Sequence, residues 1–145
     1  MKKTLAHYFG MAALVCGGSL VTLPAYAQSG GPVSFELSTL TSSGGPARAN
    51  MPQVVHVINV GGVEATGVVA TFTLPKGVRA DGCLVTHEAG GIRSYSCLAG
   101  NIASGQGVDI TFSLSANKPA VADFFVEVTC DQSVSSEIEL NVPLN

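Results

Sequence analysis

Short segments in which apolar and polar residues alternate recur through most of this chain. The clearest is 108–115, where one phase is apolar throughout: Val108, Ile110, Phe112 and Leu114. A period of two predicts a half-buried β-strand, because successive side chains of a strand point to opposite faces. The same pattern predicts strands over 33–38, 67–74 and 137–144. Their expected inward residues include Val68, Ala70, Phe72 and Leu74 in one strand, and Ile138, Leu140, Val142 and Leu144 in another.

Gly, Pro, Asn and Ser residues separate these segments and predict turns between them. The run 53–60 is apolar in both phases, as is typical of an interior strand of a packed sheet. Further extended segments are expected at 78–84, on both sides of Gly90-Gly91 and at 124–130. No helical period is sustained between 28 and 145. About seven short strands at regular spacing therefore predict an all-β Greek-key sandwich of two sheets.

The first 27 residues have the pattern of a cleavable Sec-type signal peptide. Lys2 and Lys3 precede a nearly apolar stretch over 5–23, and Ala25-Tyr26-Ala27 places small residues before a cleavage site at Gln28. Two alternatives are a retained membrane anchor and a lipoprotein that begins at Cys16. Residues 28–145 have the length of a single domain. The chain is thus expected to be exported to the periplasm, the cell surface or the medium.

The charge of the predicted mature chain argues against several kinds of partner. Without Lys2 and Lys3, five of the seven Lys and Arg residues remain against ten Asp and Glu, so the formal net charge is −5. Nucleic acids and anionic membranes bind clustered Lys and Arg, so neither is expected to be a partner. No second segment is apolar and long enough to span a bilayer after signal cleavage.

Three cysteines follow the predicted signal peptide, and an oxidising compartment permits a disulfide between them. Counting outward from Gly90-Gly91 brings Cys83 opposite Leu98 or, with one extra loop residue, opposite Cys97. The spacing therefore predicts a bridge from Cys83 to Cys97. Cys130 is in phase with apolar residues of its segment and is expected to be a buried small side chain or, alternatively, a free thiol that links two chains.

The sequence contains none of the motifs by which catalytic and metal-binding sites are commonly recognised. His56 and His87 lie on different predicted elements, and no nucleophile elbow or paired Cys-x-x-Cys motif is present. A pair of carboxylates for glycoside hydrolysis stays an open alternative, since three acidic residues could converge in space: Asp81, Glu88 and Asp109. The chain is therefore predicted to be non-catalytic, with no cofactor and no metal.

The order of turn and strand motifs resembles a known bacterial family. Its features here are Asn59 and Gly61, the Leu-Pro-Lys-Gly turn at 74–77, Cys83 and Cys97, Gly100, Ser104-Gly105 and the strand at 108–114. This order resembles the cell-surface repeat family called domain of unknown function eleven. The resemblance implies an immunoglobulin-like sandwich that serves as a non-catalytic extracytoplasmic module for spacing, adhesion or assembly.

Two functional hypotheses follow from the sequence. The first is a structural or interaction module of the cell envelope that binds a protein partner; its oligomeric state stays open. The second is an accessory domain that binds a small ligand or carbohydrate. Its expected site is the polar hairpin end, formed by Thr86, His87, Glu88, Arg93 and Tyr95. There Tyr95 would supply a stacking face and Arg93 a fork of donors.

Overall fold

A computed structural model describes residues 31–40 and 45–145, so the predicted signal peptide at 1–27 lies outside the described residues. The described residues form nine β-strands and no helix. They are β1 (Phe35–Thr39), β2 (Met51–Asn59), β3 (Ala65–Leu74), β4 (Val78–Asp81), β5 (Leu84–Ala89), β6 (Ile92–Ile102), β7 (Gly107–Ala116), β8 (Ala120–Thr129) and β9 (Ser135–Leu144).

Two antiparallel sheets pack face to face and confirm the predicted immunoglobulin-like sandwich. One sheet has four strands in the order β1-β2-β7-β4, and the other has five in the order β5-β6-β3-β8-β9. The strand count is nine, against the expected seven or so, and β4, β5 and β6 fall at the extended segments expected at 78–84 and on both sides of Gly90-Gly91. β2 lies between β1 and β7, so the run that is apolar in both phases is an interior strand, as predicted.

The inner faces of the two sheets carry the predicted apolar phases. The inward side chains of β3 are buried, as are those of β7 at Ile110, Phe112 and Leu114 and those of β9 at Leu140, Val142 and Leu144. Phe72 lies at the centre, where three rings surround it at centroid distances of 4.6 Å (Phe112), 5.3 Å (Tyr95) and 5.4 Å (Phe124). Aromatic contacts therefore join the two sheets in the middle of the core.

Asn59 ends β2 and organises the turn that crosses to β3. Its Nδ2 donates to the carbonyl oxygens of Val63 at 2.8 Å and Ile102 at 3.0 Å, and its Oδ1 accepts from the N–H of Gly61 at 3.0 Å. A Cβ atom on Gly61 would lie 2.0 Å from the carbonyl oxygen of Pro32, so only glycine fits there. The Asn-x-Gly pattern thus serves a buried, hydrogen-bonded turn.

β5 and β6 form the predicted hairpin, and Gly90-Gly91 is its turn. Both glycines have positive φ, 60° and 84°, as a two-residue turn of this kind requires. The two arms keep one register from the turn as far as His87 and then shift by one residue, with Thr86 as the extra residue on β5. The extra residue that the count required is therefore a bulge in the strand, while the loop itself stays at two residues.

The bulge brings the two cysteines together. Leu84 pairs with Ser96, so the preceding residue, Cys83, lies opposite Cys97. Their Cα atoms are 4.8 Å apart and their sulfur atoms are at bonding distance, within the geometry of a disulfide. The disulfide fastens the edge strand β5 to its neighbour at the end remote from the turn.

Candidate functional site

The predicted hairpin site is divided by the structure between two faces. Arg93 Nη2 donates to Glu88 Oε1 at 2.9 Å across the hairpin. The pair lies on the same side of the hairpin as Tyr95, which points into the core. This hydrogen bond and the charge of Arg93 lower the pKa of the Glu88 carboxyl, and the carboxylate in turn raises the pKa of the Arg93 guanidinium. Each group already has its counter-charge, so the pair stabilises the hairpin end.

Tyr95 does not supply a stacking face, and this part of the hairpin prediction is wrong. Its ring is 1% exposed and lies against Phe72 between the sheets. Its hydroxyl accepts a hydrogen bond from the backbone N–H of Ala80 at 3.1 Å, which ties β6 to the facing strand β4. Because Tyr95 is two residues before Cys97, strand alternation turns both side chains inward.

His56 and Asp109 are hydrogen-bonded on the outer face of the four-stranded sheet. They are cross-strand partners, with Nδ1 and Oδ1 2.5 Å apart. Ser38 lies opposite His56 on β1, which places a hydroxyl, an imidazole and a carboxylate in one row. The ring leans over Gly107, however, where a Cβ atom would lie 3.1 Å from Nε2. Nε2 therefore faces β7 and not Ser38, and the row lacks the contact that would activate a nucleophile.

Cys130 follows β8 and is half-buried against the core, in keeping with a small apolar side chain. Its Sγ lies 3.9 Å from the carbonyl oxygen of Val134, at the limit of a weak S–H hydrogen bond. The cross-link between two chains through this thiol stays a prediction, which a non-reducing gel tests.

The outer face of the five-stranded sheet carries rows of hydroxyl and carboxylate side chains. Register places Val69 beside Leu98, Thr71 beside Ser96, and Thr73 beside Ser94 across β3 and β6. The last pair shares a hydrogen bond of 2.8 Å between hydroxyl groups. On the other side of β3, Thr71 pairs with Glu127, which in turn pairs with Glu137. Hydroxyl groups therefore form the middle of this face and carboxylates form one side.

A shallow groove of about 530 Å³ runs across these rows. Its lining includes the outward residues Thr71, Thr73, Thr86, Ser94, Phe125, Glu127 and Glu137. Of the predicted hairpin residues, Thr86 lines the groove, and Tyr95 contributes only from the buried side. Phe125 is 54% exposed and gives the groove an aromatic side chain. The groove can hold an extended chain or a ring, contacted by hydroxyls, an aromatic face and two carboxylates.

Two leucines lie at the opposite side of the same face. Leu84 is 73% exposed and Leu98 is 84% exposed, and each directly follows a cysteine of the disulfide. Because the cysteines point toward the core side, the next residue of each strand points outward. The disulfide thus holds two exposed leucines on neighbouring strands.

Sequence reasoning missed Phe125, although a signal for it is present. The apolar residues in phase with Cys130 are Phe124, Val126 and Val128, and the same alternation places Phe125 and Glu127 on the opposite face of the strand. An exposed outward Phe between two outward carboxylates, Asp123 and Glu127, is unusual and marks a candidate contact residue.

Over residues 31–40 and 45–145, no group of three or more His, Cys, Asp or Glu side chains is arranged to hold a metal ion. No helix within these two ranges has the length and apolar character needed to cross a membrane.

Comparisons with known proteins assign no family to the chain. No protein-family model matches the chain, and no curated protein matches it. A cohesin module of a family 33 glycoside hydrolase from Clostridium perfringens is similar with a TM-score of 0.48 at 10% identity, over 79% of this chain and 98% of the module. The major pilin subunit of Bacillus cereus is similar with a TM-score of 0.42 at 10% identity, over 78% of this chain and 40% of the pilin.

A third similar structure is AvmM, which catalyses macrocyclization in alchivemycin A biosynthesis. Its TM-score is 0.48 at 8% identity, over 78% of this chain and 88% of AvmM. Likenesses at this level of similarity assign neither an activity nor a partner to the chain. The resemblance to the domain of unknown function eleven family stays a prediction.

Proposed function

We propose that this chain is an exported, non-catalytic interaction module of the bacterial cell envelope, which binds a protein partner through the outer face of its five-stranded sheet. The observation that carries the proposal is the exposure of large apolar side chains on that one face. More than half of the surface of each is exposed: Leu84, Leu98, Val121 and Phe125. Apolar side chains gathered on one face favour association, because burying them removes apolar surface from water.

Two further features support the proposal. The Cys83–Cys97 pair, at disulfide distance, fits an oxidising compartment outside the cytoplasm, where disulfides persist. The disulfide and the antiparallel pairing also hold the face rigid, so little conformational entropy is lost when a partner binds it. The motif resemblance to cell-surface repeats adds the expectation of a role in spacing, adhesion or assembly.

The second candidate is a carbohydrate-binding accessory domain, and the groove beside Phe125 favours it. A sugar ring can pack on an aromatic face while its hydroxyls bond Ser, Thr and Glu side chains. Because Tyr95 is buried, it cannot stack on a sugar at the hairpin end. The candidate carbohydrate site is therefore the groove on the sheet face.

The test compares leucine variants for retention on envelope fractions of the source cells. L84S/L98S should lose most of the binding of the wild-type protein, because both substitutions remove exposed apolar side chains from the face. L40S is the matched control, since Leu40 is 68% exposed and follows β1 in the other sheet. Protease treatment of the envelope should abolish wild-type retention.

Equal retention of L84S/L98S and wild type would contradict the proposal. Retention that survives protease treatment and falls with F125A would favour the carbohydrate candidate instead.

A further inference from the structure

The outer face of the five-stranded sheet carries one sign of charge. Its outward acidic residues lie on β8 and β9: Asp123, Glu127, Glu137 and Glu139. Strands β3, β8 and β9 contain no Lys or Arg, and β6 contains Arg93 alone, which pairs with Glu88. The field over this part of the sheet is therefore negative without internal compensation.

Glu127 and Glu137 are directly opposite each other in the β8–β9 ladder. Directly opposed like charges destabilise a sheet, and among the described residues neither carboxylate has a cation within ion-pair distance. Both residues line the groove. A cation that entered between them would remove the repulsion and gain two charged contacts.

Apolar side chains flank this acidic pair within the same face. Phe125 precedes Glu127 by two residues, so the two side chains are neighbours on the outer face of β8. Leu98 lies on β6, two strands from β8, in the row of Val69 and Thr129, so it is about 10 Å across the sheet and about 7 Å along it from Glu127. The face thus combines an acidic side, an aromatic side chain and an apolar corner.

We propose that this face binds a segment of a partner protein that carries Lys or Arg a few residues from an apolar side chain. The cationic group lies between Glu127 and Glu137, its aliphatic stem packs on Phe125, and the apolar side chain contacts Leu84 and Leu98. This inference rests on the proposed function and adds the chemistry of the partner.

Charge complementarity favours a cationic protein segment over a second copy of the chain or a neutral glycan. A second copy of the chain would bring the same four carboxylates against their equivalents in a two-fold interface, where they repel. A neutral glycan would leave the opposed carboxylates uncompensated. A cationic protein segment satisfies both the apolar and the charged parts of the face.

The experiment uses two synthetic peptides of equal length as probes, titrated against the protein that begins at Gln28. One carries Lys and Leu interspersed with Ser, and the other has Glu in place of each Lys. Calorimetry should detect binding of the Lys peptide alone. NMR titration should place the shifts at Phe125, Glu127 and Glu137.

E127Q/E137Q should bind the Lys peptide roughly tenfold more weakly, because two charged contacts are lost. This variant removes a repulsion, so it should remain folded. E36Q/E64Q is the matched control, since it removes the same formal charge from exposed residues outside the face, and it should bind like the wild type. Raising salt should weaken binding to the wild type much more than to E127Q/E137Q.

Each of three results with the peptides would overturn the inference: equal binding of both peptides, an equal loss in E36Q/E64Q, or shifts mapped to another surface. Sedimentation that shows a dimer through this face would also overturn it. If L84S/L98S loses envelope retention while E127Q/E137Q keeps full retention and peptide affinity, the interaction module stands and the cationic partner falls. If the leucine variant keeps retention, the proposed function itself falls.

Discussion

Two polar side chains of β2 are buried, and their hydrogen bonding differs. Asn59 makes three hydrogen bonds through its amide and closes the turn to β3. Gln53 donates one long bond, 3.3 Å, to the Met51 carbonyl, and its Oε1 has no partner among the described residues. A buried polar group stabilises a fold when it is bonded and costs free energy when it is not.

We expect N59A to lower the free energy of unfolding by about 3 kcal/mol, because it leaves buried backbone groups of the turn without hydrogen-bond partners. Urea unfolding of the variant and wild type measures the change. N141A is the control, since Asn141 lies on the exposed face of β9 and should have little effect. Equal effects of the two substitutions would mean that the Asn59 turn does not stabilise the fold.

Q53M should raise the free energy of unfolding by about 1 kcal/mol, because methionine fills a similar volume without an unbonded acceptor. The melting temperature reports the change. Q106M provides the comparison at an exposed glutamine. A lower melting temperature for Q53M would show that Oε1 is bonded in solution.

Among the elements, the β5–β6 hairpin combines features that were predictable and features that were not. Its glycine turn follows from Gly90-Gly91, because these residues tolerate positive φ. The bulge at Thr86 has no sequence signal of its own, and it decides which residue faces Cys83. A shift of one residue would have turned the cysteine partners to opposite faces of the sheet.

Removal of the disulfide should lower the free energy of unfolding by about 3 kcal/mol, since a short loop is no longer closed in the unfolded chain. C83A/C97A is compared with C130A, which removes a sulfur and leaves the loop intact. Alkylation of the oxidised protein that begins at Gln28 should label Cys130 alone. Labelling of Cys83 or Cys97 would contradict the bridge.

The Glu88–Arg93 pair gives the hairpin a pH dependence with a definite sign. Because the pKa of Glu88 is lowered in the folded state, its contribution is complete above the ordinary value of 4.5 and is lost as pH falls through the lower folded value. E88Q should therefore lose less stability than wild type below that pH. Urea midpoints between neutral and acidic pH measure this, with E36Q as the control for a lost surface carboxylate. Parallel curves for wild type and E88Q would contradict the pairing.

At the scale of the whole molecule, the sandwich separates residues of one type into opposite roles. Leu74 is completely buried between the sheets, whereas Leu98 is exposed on the outer face. The inward phases join into one core around Phe72, and the outward phases of β3, β6, β8 and β9 form the groove. Stability therefore depends on one face of each strand and the proposed binding on the other.

L74A should lower the free energy of unfolding by roughly 2–5 kcal/mol, through lost burial and the cavity that remains. L98A, the same substitution on the outer face, should change it by less than about 0.5 kcal/mol. Chemical denaturation distinguishes them, and a similar loss in both variants would show that the assignment of faces is wrong.

The sequence by itself determined the class of fold and the inward face of most strands. These features are local, because side-chain direction alternates along any strand and Gly, Pro and Asn mark the turns between strands. Leu74, Phe112 and Leu140 were assigned inward on that basis, and the structure buries all three.

Only the tertiary structure decided the order of the strands, the bulge at Thr86 and the composition of the outer face. The groove joins Thr71, Thr86, Phe125 and Glu137, which are far apart in the chain and meet only through pairing of β5, β6, β3, β8 and β9. Register and sheet order arise from packing between distant segments, and no local period encodes them. For the same reason, alternation alone could place Phe125 outward but could not show that it lies beside an opposed pair of carboxylates.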